Sequence, residues 1–286
     1  MQRVGIDIGG TKIEAVVLDN VGKVLLRERV PTERENGYDH IMNQLSFLHG
    51  KLRGCLDEDF LFGVCVPGPL NAEGDRMKHG NTQVLVGEPL RNDIKSIFGA
   101  TPLLDNDANC FAQAEALLGA GKGSKVLFGI ILGTGVGGGI TIDGHAYRGR
   151  HRIAGEWGHS LLHPGGIPCY CGNRGCIERY LCGPALEQHF QDLTGENKRV
   201  TEIAQNPPAE WKDQFLLNFG MAISSIINIL DPDIIVLGGG VSKVQFLYTE
   251  SPKFVQRFCF DNEITTPIVQ NTMGDSAGVF GAAYLP

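Results

Sequence analysis

A chain of 286 residues, 20% of them charged and 42% hydrophobic, is long enough to bury a large core in one or two domains. Its net charge of −7 argues against a nucleic-acid surface, because phosphate binding relies on clustered Lys and Arg. The opening MQRVGIDIGG is unlike a signal peptide, since Asp7 interrupts its apolar segment. We therefore expect a cytoplasmic protein with no nucleic-acid or membrane partner.

The first element is a pair of apolar runs around a glycine turn. Residues 5–13 read GIDIGGTKI, and the apolar EAVVL that follows ends in Asp-Asn, a hairpin-turn signal. The pattern predicts a β-hairpin whose turn presents backbone N–H groups without obstruction by side chains.

A strand and a helix come next. Residues 61–71, LFGVCVPGPLN, run an apolar strand into a glycine turn, and residues 107–121, DANCFAQAEALLGAG, are typical of a helix. Asp107 is a candidate N-cap of this helix, and Gly119 or Gly121 would end it.

Residues 126–142 imitate a membrane span, because VLFGIILGTGVGGGITI carries no charge over 17 residues. Six of those residues are glycine, which removes apolar area and helix propensity. The stretch therefore predicts two buried strands around a glycine turn, and the Asp-Gly that follows it is a second hairpin signal.

Residues 153–183 concentrate chemically active side chains. They include His159 and three of the eight cysteines, Cys169, Cys171 and Cys176, which together form a set suited to a tetrahedral zinc site. The Cys-x-Cys spacing is tighter than in ordinary zinc fingers. Free cysteines in a reducing cytosol therefore stay open as the alternative.

The last part of the chain predicts a helix, a strand and a second helix. Residues 213–230, DQFLLNFGMAISSIINIL, are apolar around most of the helical circumference, which indicates a buried helix. The Asp-Pro-Asp at 231–233 ends that helix before the strand IIVLGGGVS at 234–242. GDSAGVFGAAYL, at 274–285, predicts a short final helix rich in small residues.

These patterns occur in pairs. The glycine turn of residues 5–13 has a counterpart in GIILGTGVG at 129–137, and the strand of 61–71 has one at 234–242. Two copies of one α/β unit are the interpretation that we favour, although glycine follows strands in any α/β protein.

The glycine turns themselves suggest phosphate binding. GTGVGG at 133–138 formally matches the dinucleotide fingerprint, but a β-like run follows it where a helix is required, so we reject a Rossmann site. Both turns offer backbone N–H groups and a threonine hydroxyl, the first adds Lys12, and Asp7 can hold Mg²⁺ through water. The alternative is that both are only tight hairpins.

Five motifs together resemble the ROK family, the repressors and sugar kinases of the actin-like ATPase fold: GIDIGGTK, LDNDANCFAQAE, GTGVGGGITIDG, GEWGH and CYCGNRGC. DPDIIVLGGGVS and GDSAGVFGAA extend the resemblance to the C-terminus. It implies an α/β, ribonuclease H-like fold of two lobes around a cleft, with duplicated domains and a zinc-binding insertion. The smaller lobe would be residues 1–118 with 275–286, and the larger lobe residues 119–274.

The resemblance also implies functional residues. Asp107 looks like the catalytic base that accepts the sugar hydroxyl proton, and His159 would bind zinc through one nitrogen and a sugar hydroxyl through the other. The expected zinc ligands are His159, Cys169, Cys171 and Cys176. The expected sugar-binding residues are Gly68, Asn106, Asp107, Glu156, His159 and Glu178. The expected residues around the phosphates of ATP are Asp7, Gly9, Gly10, Thr11, Lys12, Gly133, Thr134, Gly135, Gly238, Gly239 and Gly240.

The expected activity is ATP-dependent phosphorylation of a hexose at C6, with structural Zn²⁺, Mg²⁺ bound with ATP, and a homodimeric assembly. Fructose or mannose is favoured, because NTQVLVGEPL at 81–90, GEWGH and PCYCG look like bacterial fructokinases. N-acetylglucosamine and glucose are the alternatives. Trp157 would restrict the space for a 2-acetamido group unless it points into the core.

Two other classes of function fit the sequence less well. A ROK-type transcriptional regulator lacking its DNA-binding domain fits poorly with the acidic charge. A sugar-binding protein without catalysis would be expected to lack Asp7 or Asp107, and both are present.

Overall fold

The computed structural model describes residues 1–80, 82–261 and 263–286. Asn81, the first residue of the fructokinase-like segment 81–90, lies outside the described residues. The chain divides into two compact units. The first unit contains Met1–Glu115, His145–Ala154 and Met273–Pro286. The second unit contains Ala116–Gly144 and Gly155–Thr272.

The first sheet has five strands in the order β3-β2-β1-β4-β5. β1 pairs antiparallel with β2 and parallel with β4, so the sheet is mixed. The strands are β1 (Gln2–Ile8), β2 (Lys12–Leu18), β3 (Val24–Pro31), β4 (Phe60–Val66) and β5 (Leu103–Asn106).

The second sheet repeats this arrangement. Its order is β10-β9-β6-β7-β8, which is the order of the first sheet when the strands are counted from β6. β6 pairs antiparallel with β7 and parallel with β9, as β1 does with β2 and β4. The predicted duplication is therefore present in the strand topology. The strands are β6 (Val126–Leu132), β7 (Val136–Ile142), β8 (His145–Ala146), β9 (Ile234–Gly238) and β10 (Ile268–Gln270).

Ten helices complete the described part of the chain, and they include the three predicted ones. The helices are α1 (Tyr38–Leu52), α2 (Leu90–Phe98), α3 (Asp107–Leu117), α4 (Glu178–Leu181), α5 (Gly183–Thr194), α6 (Val200–Ile203), α7 (Ala209–Leu230), α8 (Phe246–Thr249), α9 (Ser251–Gln256) and α10 (Ala277–Ala283).

The stretch 126–142 is a hairpin, as predicted, and not a membrane span. β6 and β7 pair along their whole length around the turn at 133–135. The next turn places Asp143 at φ 52° and Gly144 at φ 79°. Two consecutive left-handed residues are what a tight hairpin of right-handed twist requires, which explains the Asp-Gly signal.

Within the described residues, α7 is the one helix long and apolar enough to cross a membrane by length and composition. Its large side chains lie in the core of the second unit, where Trp211, Phe215 and Phe219 are almost completely buried. Burial on the inside of a unit accounts for its apolar circumference.

The small residues of α10 allow it to lie directly on the first sheet. A Cβ atom on Gly63 of β4 would stand 1.9 Å from the carbonyl oxygen of Ala282, and one on Gly5 of β1 would stand 2.2 Å from that of Val279. Neither contact is possible, so glycine at these two strand positions fixes how closely the helix approaches.

Near the start of α10, three cationic side chains surround a buried carboxylate. Glu14 of β2 is 0% exposed and lies 2.5 Å from Nε of Arg27, 3.0 Å from Nε of Arg29 and 3.5 Å from Nζ of Lys12. Both arginines also donate to the hydroxyl of Ser276. Burial by itself would raise the pKa of Glu14, but the hydrogen bonds from Arg29 and Arg27 hold it below its ordinary 4.5.

Glu14→Gln is expected to lower the free energy of unfolding by about 2–3 kcal/mol at pH 7, because it leaves partly buried guanidinium groups without their counter-charge. The figure is reduced because Arg27 and Arg29 are 38% and 47% exposed. Glu28→Gln is the matched control, since Glu28 forms a surface pair with Lys51 at 2.8 Å and should cost less than about 1 kcal/mol. Urea titration of both variants measures the difference.

The same pair of variants has a defined pH dependence. The folded-state pKa of Glu14 is depressed, so its contribution is complete above about 4.5, the unfolded value, and is lost as the pH falls through the folded value. The deficit of Glu14→Gln should therefore shrink in acid. A deficit equal to that of Glu28→Gln at pH 7 would refute the role of the buried carboxylate.

Candidate functional site

The first glycine turn of the first unit is tightly closed. The N–H of Gly9 donates to the carbonyl of Lys12 at 2.9 Å, and the Thr32 hydroxyl donates to the carbonyl of Gly9 at 2.7 Å. Gly10 and Thr11 lie at the tip, with Thr11 exposed. The ammonium group of Lys12 contacts Glu14 at 3.5 Å. Hydrogen bonds therefore hold the base of the turn, while Thr11 at its tip is exposed to solvent.

Asp7 is the last residue but one of β1 and lies in a shielded environment beside this turn. Burial raises its pKa to about 6, and the negative charge of Asp107 acts in the same direction, while a hydrogen bond from the Cys65 thiol opposes them. A Cβ atom on Gly278 would stand 2.5 Å from Asp7 Oδ2, so the C-terminal helix leaves room for the carboxylate only because it carries glycine there. The sequence shows the small-residue pattern of that helix but not its contact with Asp7.

Asn106 and Asp107 stand where β5 passes into α3. The amide oxygen of Asn106 accepts the N–H of Asn109 at 2.8 Å, the bond of an N-cap. The predicted cap at Asp107 is therefore wrong by one residue. Asp107 is the first helical residue, and its Oδ1 accepts from the adjacent Ala108 N–H at 2.9 Å.

The carboxyl group of Asp107 is accessible but surrounded by protein atoms. The side chain is exposed to solvent, yet desolvation raises its pKa above the ordinary value, and the Ala108 N–H opposes that shift. A side chain whose oxygen atoms meet water while protein atoms enclose the rest of the group shows both the exposure and the raised pKa. Such a carboxylate is a stronger proton acceptor than one in open water.

A long-range ion pair that sequence analysis missed braces this segment. Arg148 donates through Nε to Asp105 at 2.6 Å, and Asp105 also accepts from Asn109 at 2.8 Å and from the Asn106 N–H at 3.0 Å. Asp105 is nearly buried, so the network holds the residue before Asn106 and Asp107 in place. Nothing in the local sequence links Asp105 to an arginine 43 positions away.

Gly68 follows β4 in a crowded turn. A Cβ atom there would stand 2.2 Å from the carbonyl oxygen of His79. Backbone crowding is a sufficient reason for this glycine, and its predicted approach to the sugar stays a prediction.

The predicted phosphate loops of the second unit lie side by side. β6 and β9 are parallel neighbours, with Ile131 opposite Gly238. A Cβ atom on Gly239 would stand 2.3 Å from the Leu132 carbonyl oxygen, at the start of the other turn. Thr134 is exposed, as are Gly239 and Gly240. The turn at 133–135 and the one at 238–240 thus form one glycine-lined surface.

Glu178 connects that surface to the zinc-motif segment. Its Oε2 accepts the N–H of Val136 at 2.9 Å, and a Cβ atom on Gly135 would stand 2.6 Å from the same oxygen. The carboxylate predicted to bind sugar therefore also fixes the predicted phosphate turn.

The four predicted zinc ligands converge. The ligand atoms of His159, Cys169, Cys171 and Cys176 all lie within 4.8 Å of one another. Nδ1 of His159 is 3.6 Å from Sγ of Cys169, and the sulfurs of Cys171 and Cys176 are 3.6 Å apart. Ordinary Zn–S and Zn–N bonds give tetrahedral edges of about 3.8 Å between sulfurs and about 3.6 Å between sulfur and nitrogen. The donor set and its spacing fit Zn²⁺.

The geometry also assigns the two nitrogens of His159. Nδ1 faces the cysteines, whereas Nε2 lies 3.0 Å from the hydroxyl of Tyr170. The sequence predicted a sugar hydroxyl at the second nitrogen, and it did not single out Tyr170. Glu156 precedes the short helical turn Trp157–His159 that carries the imidazole.

Trp157 points into the core of the second unit. It is 7% exposed, packs edge-on against Phe128, and donates its indole N–H to the Ala222 carbonyl at 3.2 Å. Its neighbours Glu156 and His159 are both more exposed. The buried tryptophan thus fixes the turn Trp157–His159 to the core of the second unit.

Comparison with known proteins agrees over the full chain. The family model described as "ROK family" matches residues 3–286. An N-acetyl-D-glucosamine kinase of Photobacterium profundum is 35% identical over 98% of each chain. A ROK hexokinase from Thermus thermophilus matches with a TM-score of 0.88 at 30% identity, covering 100% of this chain and 97% of that one. A ROK family glucokinase from Streptomyces griseus, in complex with glucose and AMPPNP, matches with a TM-score of 0.81 at 28% identity, covering 100% and 99%.

These likenesses extend over both sheets and every motif described above. The two mixed sheets have the actin-like ATPase fold of ROK sugar kinases. A family match that runs from residue 3 to residue 286, with full-length relatives above 30% identity, places the chain in the ROK family.

Proposed function

We propose that the chain is an ATP-dependent kinase that phosphorylates N-acetyl-D-glucosamine on its C6 hydroxyl. The observation that carries the proposal is the 35% identity with the Photobacterium profundum kinase over 98% of both chains. Relatives from Vibrio atlanticus and Aliivibrio fischeri, both 34% identical, carry the same name. The hexokinase and glucokinase structures support the broader assignment as a hexose kinase.

The preference for fructose finds no support in these relatives. The steric argument for fructose fails as well. The side chain of Trp157 is buried against Phe128 and does not lie on the exposed side of the turn. It therefore does not restrict the space that a 2-acetamido group needs beside Glu156 and His159. Glucose is the second candidate, since the Streptomyces griseus enzyme was solved with it.

We assign the proton transfer to Asp107. As the sugar oxygen bonds to the γ-phosphorus, the bond from that phosphorus to the β–γ bridging oxygen breaks and ADP leaves. The hydroxyl proton passes to the carboxylate, and the raised pKa of Asp107 improves the match for that transfer. A loose transition state needs little activation of the nucleophile, so positioning by the braced β5–α3 junction matters most. Mg²⁺ bound with ATP would neutralise charge on the phosphates, and Asp7 is the carboxylate assigned to hold it through water.

Five residues besides Asp107 are assigned to the sugar. They are Gly68, Asn106, Glu156, His159 and Glu178. The carboxylates accept hydrogen bonds from sugar hydroxyls, and the Nε2–H of His159 donates one. Structural zinc at Nδ1 would fix that tautomer.

The predicted lobes of the proposed kinase are residues 1–118 with 275–286 and residues 119–274. They differ from the two compact units mainly at His145–Ala154, which belongs to the first unit. A homodimer in the cytoplasm is the expected assembly and location. Light scattering of the purified protein at several concentrations checks the dimer.

An ADP-release assay over a panel of hexoses tests the substrate. We expect kcat/KM for N-acetylglucosamine to exceed that for glucose, fructose, mannose and N-acetylmannosamine by at least about tenfold, which corresponds to about 1.4 kcal/mol in transition-state binding. Another hexose in first place would overturn the sugar and leave the kinase. No ADP release with any sugar, in zinc-loaded protein with Mg²⁺, would overturn the kinase.

A further inference from the structure

Tyr170 takes the contact that the substrate is expected to make. Its hydroxyl lies 3.0 Å from Nε2 of His159, and its ring meets the imidazole edge-on, with centroids 5.1 Å apart at 89°. Nδ1 faces Cys169 at 3.6 Å, so Nε2 is the ring nitrogen available to a sugar. The free protein therefore already has a hydroxyl group at that nitrogen.

Little packing holds the side chain there. Tyr170 is 76% exposed, although it stands between two cysteines of the metal cluster. Its backbone is constrained, since the Cys169 N–H donates to the Asn173 carbonyl at 2.8 Å and the Gly172 N–H donates to the Cys169 carbonyl at 3.1 Å. A change of side-chain rotamer would remove the hydroxyl from His159 without moving any zinc ligand.

We propose that Tyr170 is a displaceable substitute for the substrate: its hydroxyl occupies His159 Nε2 in the free protein, and a sugar hydroxyl replaces it on binding. The inference rests on the proposed sugar site. With zinc at Nδ1, the Nε2–H donates first to the tyrosine oxygen and then to the sugar oxygen. The tyrosine keeps Nε2 hydrogen-bonded before substrate arrives, and it lowers sugar affinity because one bond must break as another forms.

Tyr170→Phe removes the hydroxyl and keeps the ring. In zinc-loaded full-length protein without nucleotide, the calorimetric Kd for N-acetylglucosamine is expected to fall about two- to tenfold, the factor of one net hydrogen bond. Tyr147→Phe is the matched control, because Tyr147 is also exposed, at 51%, and the chemical change is the same. Metal analysis must give equal zinc in all three proteins.

A second measurement needs no sugar. Solvent exchange of the His159 Nε2 proton, followed by NMR in the zinc-loaded protein, should be several-fold faster in Tyr170→Phe than in the parent or in Tyr147→Phe. If the parent binds no hexose of the panel, the proposed function fails, and this exchange rate still decides whether Tyr170 covers His159.

Three results would contradict the proposed displacement of Tyr170. A Kd that rises in Tyr170→Phe would make the hydroxyl a sugar ligand that stays in place, and an unchanged Kd would show that it does not compete. Either result overturns displacement, and an unchanged exchange rate overturns the contact itself.

Discussion

Asp107→Asn is expected to lower kcat by about 10³-fold, within the range that general-base catalysis contributes, while the sugar Kd changes little. Asparagine is nearly isosteric, and its amide oxygen can still accept the Ala108 N–H that Asp107 accepts at 2.9 Å. Only the proton acceptor is lost. Steady-state kinetics with the best sugar of the panel, together with calorimetry for sugar binding, measure the two quantities separately.

A measurement of the free energy of unfolding distinguishes the loss of the proton acceptor from misfolding of the Asp107→Asn variant. Desolvation raises the pKa of Asp107, so its ionised form is disfavoured in the folded protein, and the neutral amide should not lower the free energy of unfolding. Asp59→Asn, at an exposed carboxylate of the same unit, is the control and should retain full kcat. A kcat for Asp107→Asn equal to that of the parent would remove Asp107 from the mechanism.

Cys171→Ser is expected to reduce zinc affinity by at least about a hundredfold and to lower Tm, because one ligand of four is lost from a site that ties the segment 159–176 together. Cys171 is the exposed member of the cluster, so the substitution removes a ligand without opening a cavity in the core. The parent should contain one zinc per chain. Metal analysis and thermal unfolding with and without a chelator test both statements.

Loss of the metal should also impair catalysis. Without zinc, Nδ1 of His159 loses its partner and the imidazole its fixed orientation, so KM for the sugar should rise more than kcat falls. Cys55→Ser, at a half-buried cysteine outside the cluster, should keep both metal and activity. Full activity in a zinc-free Cys171→Ser protein would show that the metal site does not support sugar binding.

Much of the fold could be predicted because the signals are local. Alternating apolar runs around glycine turns indicated both hairpins, and Asp143-Gly144 adopts the two left-handed conformations that its sequence favours. The repeated pattern indicated the duplication, which appears in the common strand order of the two sheets. The apolar circumference of residues 213–230 indicated the buried helix α7.

Details of the site were predicted less well, because several residue types could fill the same role. Asn106 and Asp107 are both good caps, and the backbone path at the end of β5 decided for Asn106. Trp157 could have faced the sugar or the core. Its indole N–H needed a buried acceptor, and the Ala222 carbonyl of α7 supplies one.

The sequence by itself determined the repeated strand–turn units and brought out His159, Cys169, Cys171 and Cys176 as a candidate ligand set, since both depend on residue type and short spacing. The resemblance of the motifs to a family, and not their spacing, singled out Asp107 as the candidate base. Only the tertiary structure decided which distant groups meet: Arg27 and Arg29 on Glu14, Arg148 on Asp105, Gly278 against Asp7, and Tyr170 on His159. Such contacts depend on strand register and side-chain direction, which a local pattern does not contain. A charged or hydrogen-bonding group finds its partner through packing, because burial makes an unpaired one costly.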